Sequence, residues 1–292
     1  MSVLGIGQAK LVFPILSRLV PGTGNRNKLK IALALVRALA PAATKPIRVL
    51  FDAWFMRARL VLPLLRRNCH VIGQARYDTA LFLPPEVPAG KRLGRPRKYG
   101  QRLTSDMIAA LPTSTRFMFI YSKNRTIRLR SVVVVARFIK ATPVRAVWCE
   151  FFDSEKNTWS KPRLLLATET ELHAETIVCI YSRRWGVEPL FYNLKNWWGI
   201  DKLWQQSRQV LELWMQIRST AWTLAQLLVL VAKDSFPIQA IAPWRAKQPL
   251  TAGLIAQWLR IEFIGLPFRD GFDRKSQKFS FPEQRHDLRL RL

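Results

Sequence analysis

Runs of β-branched and aliphatic residues alternate with helix-like stretches along the first quarter of the chain. Val3 to Ile6 and Lys10 to Val20 are apolar runs broken by Gly and Pro, which predicts two strands, and Pro21-Gly22-Thr23-Gly24-Asn25 marks a turn. From Asn27, the positions Leu29, Ile31, Leu33, Leu35, Val36 and Leu39 recur among Ala and Lys until Pro41, a helical pattern. Ile47-Arg48-Val49-Leu50-Phe51 is a short apolar run ending in Asp52 and reads as a buried strand. Phe55 to Leu65 resumes helical composition, with Pro63 expected to end or kink it, and Cys69 to Ala75 is again strand-like. Strand, helix, strand, helix, strand is an α/β order, with helices covering a sheet.

The pattern then changes. Pro84 to Gly90 opens a loop, and up to about Thr170 β-rich runs (Arg116 to Tyr121, Ile127 to Ile139, Arg145 to Phe152, Arg163 to Ala167) alternate with turn residues. Helical composition returns over Glu175 to Trp198 and Leu203 to Val231, and a third helical piece covers Thr251 to Phe263. Residues after Arg269 are polar and Pro-containing and predict a loose tail. The expected organisation is therefore 1–76, 77–174, 175–268 and 269–292, with no internal repeat.

Charge narrows what such a chain can do. Its 292 residues carry 47 Lys plus Arg against 19 Asp plus Glu, a formal net charge of +28, yet 49% are hydrophobic, with 11 Trp and 16 Phe. That composition buries a core, which a disordered polycation cannot do. The excess positive charge calls for a polyanion, nucleic acid or an anionic membrane surface. A peripheral membrane protein would concentrate Lys and Arg on one amphipathic helix, whereas here the cations are spread through all segments. The longest apolar run, within Ser219 to Val231, falls short of the roughly 18 to 20 residues of a membrane span. With no signal-peptide order at the N-terminus either, a cytoplasmic, nucleoid-associated protein is expected. Cys69, Cys149 and Cys179 stand far apart, so with His70, His173 and His286 they support neither a disulfide framework nor a zinc site.

Two acidic positions carry candidate chemistry. Asp52 sits at the C-terminal end of a predicted buried strand, the edge where ligands gather in α/β sheets, although a capping Asp is common there too. In Tyr181 to Lys195, at 100° per residue, Tyr181, Arg184, Glu188 and Lys195 share an arc of about 60°, with Val187, Phe191, Leu194 and Trp198 to one side. Pro189 falls awkwardly within that helix. An i, i+4 Arg-Glu pair on a solvated face would explain the charges alone.

The spacing Y-x-x-R-x-x-x-E-x-x-x-x-x-x-K, matched at Tyr181, Arg184, Glu188 and Lys195, resembles the signature of the DDE transposases of a large group of bacterial insertion sequences. Leu50-Phe51-Asp52-Ala53-Trp54-Phe55 likewise resembles the strand-end motif around that family's second catalytic Asp. The resemblance spans roughly residues 1 to 200. It implies a ribonuclease-H-like core, a β-rich insertion before the Glu-bearing helix and a helical C-terminal part. It further implies Asp52 and Glu188 as catalytic metal ligands for two divalent ions, usually Mg, held about 3.5 to 4 Å apart. Tyr181, Arg184 and Lys195 would contact phosphates of double-stranded DNA, at transposon ends and target, with the protein acting as a homodimer on DNA.

The family's first catalytic Asp precedes the segment resembling Val3 to Val20, and no acidic residue stands before Asp52. The family's N-terminal helical DNA-binding region is missing as well. Both departures imply a truncated transposase, inactive for strand cleavage on its own. A non-catalytic basic DNA-binding protein is the alternative, and it predicts no metal dependence. Lys91 to Gly100 surrounds Gly94-Arg95-Pro96 with cations and resembles an AT-hook. Arg95, Arg97 and Lys98 are candidate DNA contacts, read as non-specific phosphate contacts ahead of A·T reading in the minor groove. Trp148 and Trp159, which could hold a flipped base in that family, read first as core residues.

Overall fold

The computed structural model describes residues 12–20, 26–39, 41, 45–86, 95–231, 242–245, 250–264, 272–273 and 278–279. Two compact units divide the chain, Met1–Thr220 and Ala221–Leu292.

The first unit is built on one mixed sheet. Helix α1 (Arg26–Leu39) leads to β1 (Ile47–Phe51), α2 (Ala58–Leu65), β2 (Cys69–Ala75) and the short β3 (Leu81–Phe82). A short α3 (Ser105–Ala109) precedes β4 (Thr113–Ile120), β5 (Lys123–Ala136), β6 (Thr142–Asp153), β7 (Thr158–Trp159) and β8 (Arg163–Ala167). The strand order is β1-β2-β8-β6-β5-β3, with β4 also on β5 and β7 on β6. Only β1 and β2 pair in parallel, in the register Phe51↔Gly73, and every other pairing is antiparallel.

Side-chain alternation sorts the strands between two cores. Val49, Phe51, Val71, Ala146, Trp148, Leu164 and Leu166 face α1 and α2, whose Val36, Leu60, Val61 and Leu64 complete that layer. Leu50, Ile72, Ile127, Leu129, Val147, Cys149, Leu165 and Ala167 face the opposite way, toward α4 (Ala174–Ser182) with Ile177, Val178 and Tyr181. Both faces of the central strands are therefore buried, which explains their near-continuous apolar runs. Each fully buried Leu contributes roughly 1.5 to 3 kcal/mol.

Strands at Ile47–Phe51 and Cys69–Ala75 are as the sequence predicts; of the β-rich runs Arg163–Ala167 keeps its bounds, and the run expected to reach Ile139 ends at Ala136, before a 3-10 turn. Three further expectations change. Val12 to Val20 has no regular secondary structure, in place of the predicted strand, and Val3 to Ile6 lies outside the described residues. The helix expected from Phe55 begins at Ala58, because Asp52 to Phe55 form a turn; Pro63 is accommodated within its last turn. Phe272–Asp273 and Lys278–Phe279, within the predicted loose tail, form a small antiparallel ladder. The second unit holds the end of α6 (Arg208–Val231) and α7 (Ala252–Ile264). Among the described residues no helix is long and apolar enough to cross a membrane.

A buried carboxylate ties the long strands together. Glu150 on β6 accepts from Arg128 Nε at 2.9 Å and Nη2 at 2.8 Å, its cross-strand partner on β5, and from Arg130 Nη1 at 2.8 Å. The Arg128 hydrogen bond holds the carboxyl below its usual range against the opposing effect of burial, with Arg130 adding to it. Stability from this pairing is thus present above the ordinary carboxyl value of 4.5 and is lost as pH falls through the lower folded-state value. Glu150→Gln should cost about 1 to 3 kcal/mol at neutral pH, and should flatten the decline in stability below that ordinary value, as read from urea unfolding at a series of pH values.

Candidate active site

Asp52 continues the strand alternation one residue past Phe51, on the side of Leu50 and α4. Its Oδ1 accepts from the backbone N–H of Trp54 at 3.0 Å and of Phe55 at 3.2 Å, so it closes a turn rather than capping α2. Oδ2 makes no hydrogen bond among the described residues and the side chain is exposed. The turn is fixed from below: Phe55 stacks on Phe51 at 6.0 Å, Trp54 meets Phe55 edge-on at 4.8 Å, and Met56 is buried over Gly73. A Cβ on Gly73 would lie 2.6 Å from Met56 Sδ, so only glycine lets the chain after Asp52 fold back over β2.

The segment carrying Glu188 is not one helix. α4 ends at Ser182, a 3-10 turn spans Arg183–Gly186, and α5 runs Val187–Asn196. The tighter turn shifts the phase, so the single 60° arc expected for Tyr181, Arg184, Glu188 and Lys195 does not hold. Tyr181 is buried, Arg184 is half-buried, and Glu188 and Lys195 are exposed. The break also accommodates Pro189, which falls in the first turn of α5, where no intrahelical N–H is required. Val12 packs so closely on Gly186 that any side chain there would collide with it, which pins residues ahead of α1 against the start of α5. Ser17 O accepts from Gln216 Nε2 at 2.7 Å, and Arg18 pairs with Glu212 at 3.2 Å, extending that strap to α6.

Helix α4 is itself held to the sheet. Thr168 exchanges hydrogen bonds with Val71, Arg145 Nε donates to Thr170 O at 2.6 Å, and Arg116 pairs with Glu175 at 3.0 Å. Tyr181, at its last turn, is the link between strand and helix. Burial raises its phenol pKa most, Arg184 pulls it down, and Tyr121 and the Asp52 carboxylate push it up. Arg184 lies 5.8 Å from the Tyr181 ring and pairs with Glu188 at 3.6 Å. Tyr181, Arg184 and Glu188 thus form one connected row, and Tyr181 shares a core with Leu50, two residues before Asp52.

A family pattern described as Transposase DDE domain matches residues 13–224, which contain Asp52 and this whole row. The chain belongs to that family. Its function is therefore that of a transposase, an enzyme acting on DNA by phosphoryl transfer. No match was found among curated proteins.

DDE transposases use divalent metals, and the donor set can be tested against that need. Asp52 and Glu188 are hard oxygen donors open to solvent, which suits Mg. Among the described residues no group of three or more His, Cys, Asp or Glu is gathered, so a pair of ions would need ligands beyond Asp52 and Glu188. The cysteines add nothing: Cys69 and Cys149 are buried, and burial pushes the Cys149 thiol up to about 12.

Other predicted residues stand apart from this row. Arg95, Arg97 and Lys98 are exposed in a segment whose end is pinned where Gly100 N donates to Leu83 O at 3.0 Å; Lys91 to Gly94 lie outside the described residues. Trp148 is buried in the α1/α2 core, and Trp159 lies half-buried under Arg128 at 4.6 Å. Sequence reasoning missed Tyr121, Arg125 and Arg163. Their signal is a tight turn without Gly, Asn or Pro between two β-rich runs, and cations at core-facing strand positions.

Gly73→Val should lower stability by about 1 to 3 kcal/mol through overpacking against Met56, measured by chemical denaturation.

Proposed function

We propose that this transposase uses Asp52 and Glu188 as two of its catalytic carboxylates, on a ribonuclease-H-like core in which residues 77–174 form a β-rich insertion between residues 1–76 and the helical 175–268. Its substrate is the end of an insertion sequence in duplex DNA, engaged by a homodimer. The observation that supports this reading is the row Tyr181–Arg184–Glu188 beyond α4, the helix that packs on the sheet face to which Leu50, just before the strand-end Asp52, contributes. An ion bound there would activate the attacking oxygen and stabilise the leaving oxygen in an in-line displacement at phosphorus.

The protein's own groups position that chemistry. Backbone N–H groups fix Asp52 Oδ1 and leave Oδ2 for a ligand. Arg184 supplies a cation beside the rigid support of the buried Tyr181, and the exposed Lys195, near the end of α5, supplies another for a strand held by its phosphates. No Asp or Glu stands among residues 1–51, so a third carboxylate would be supplied by a residue outside that segment. Support for where it would enter is the outer edge of β1, which pairs with no strand among the described residues.

Two measurements test this reading. Mn²⁺ titration followed by electron paramagnetic resonance should show divalent binding that Asp52→Asn and Glu188→Gln each weaken about ten-fold or more, a loss of at least roughly 1.4 kcal/mol. Unchanged affinity in both variants would favour the non-catalytic DNA-binding alternative. Arg184→Ala and Lys195→Ala should each weaken binding to an element end more than Lys45→Ala, an exposed cation outside this row; equal losses from all three would return this face to ordinary solvated charge.

A further inference from the structure

Beside this row lies a cluster of cations that neither Asp52 nor Glu188 accounts for. β4 and β5 are joined by Tyr121 and Ser122, both at positive φ (51° and 59°), a conformation costly for a residue as bulky as Tyr. The turn sets the Tyr121 ring against Phe151 at 6.2 Å and against Trp185 at 6.1 Å, just ahead of α5. Phe151 in turn carries two guanidinium groups, Arg125 at 5.9 Å and Arg163 at 5.5 Å. Three strands and the 3-10 turn thereby converge on one spot.

The charge there is not balanced from within. Among the described residues neither Arg125 nor Arg163 forms an ion pair with a carboxylate, and Arg184 has only its 3.6 Å contact with Glu188. Arg125 Nε and Arg184 Nε are buried without a hydrogen-bond partner, a cost that a bound acceptor would remove. Arg163, Arg184 and Arg125 all act on the Tyr121 hydroxyl, lowering its pKa against the larger upward effect of burial. Like charges gathered around one ring system repel unless an anion joins them. By contrast Arg128 and Arg130, on the other face of the same strand, share the Glu150 carboxylate.

We infer that Arg125, Arg163 and Arg184 around Tyr121 form a subsite for a backbone phosphate of the DNA strand. A phosphodiester offers two non-bridging oxygens that suit planar guanidinium donors, and the 51% exposed Trp185 offers an apolar face for the adjoining base or sugar. The inference rests on the transposase reading for its ligand, and it adds two residues from the β-rich segment to the DNA contacts. The strained turn holds Tyr121 as the floor of the subsite.

The test compares wild type with the double variants Arg125→Gln/Arg163→Gln and Arg125→Lys/Arg163→Lys in binding a labelled DNA duplex across a salt series. The Gln pair should bind roughly ten-fold more weakly, with the slope of log affinity against log salt reduced by about 0.9 for one lost phosphate contact. The Lys pair should keep the wild-type slope. In unmodified wild type, DNA should protect Arg125 and Arg163 from phenylglyoxal, read by peptide mass spectrometry, a result independent of whether any variant folds. If wild type binds DNA but both arginines stay unprotected, or the Gln pair keeps wild-type affinity and slope, the subsite is refuted. Wild type that fails to bind DNA at all would overturn the transposase reading itself.

Discussion

The parallel pairing of Ile47–Phe51 with Cys69–Ala75 is the constraint from which the site follows. Val49 and Phe51 are buried on the α2 side while Leu50 packs toward α4, so the residue after Phe51 emerges at the sheet's end with its side chain on the α4 side. The alternation that sends Phe51 toward α2 sends Leu50 toward Tyr181. Gly73 then allows Met56 to cross β2, and the turn that results gives Asp52 two backbone donors. The carboxylate is exposed, but its position is determined by packing beneath it.

Charge is distributed by the same sheet. With few acidic residues to share, the protein places several of them where they organise structure: Glu150 between Arg128 and Arg130, Glu169 in a bidentate pair with Arg48, and Glu175 joining α4 to β4. These pairings leave the arginines at the opposite face of β5 and at the start of β8 without carboxylate partners among the described residues. Guanidinium charge without a carboxylate partner is therefore gathered at Phe151, a placement suited to taking up a polyanion.

The central elements were legible in the sequence because burial on both faces leaves an unmistakable apolar run, as in Val49-Leu50-Phe51 and Leu164-Leu165-Leu166. Asp52 stood out for the same reason, as a charge abutting such a run. What the sequence concealed depends on backbone geometry. Arg183 to Gly186 has helical composition, and nothing in periodicity distinguishes a 3-10 turn from the α-helix on either side. Val12 to Val20 has strand composition yet serves as a strap, because its contacts are with Gly186 and α6 rather than with a neighbouring strand. The arginine cluster was invisible because its members come from β5, β8 and the 3-10 turn, segments joined only by the fold.

The 3-10 turn also divides the labour of the Glu-bearing region. The tighter turn offsets α5 from the phase of α4, and Val12 on Gly186 with the buried Leu190 and Leu194 packs that new phase in place. Adding or removing one residue between Ser182 and Val187 would put the helical phase inherited from α4 about 100° out of step with the one that buries Leu190 and Leu194, so Glu188 could keep its bearing only if the 3-10 turn were distorted.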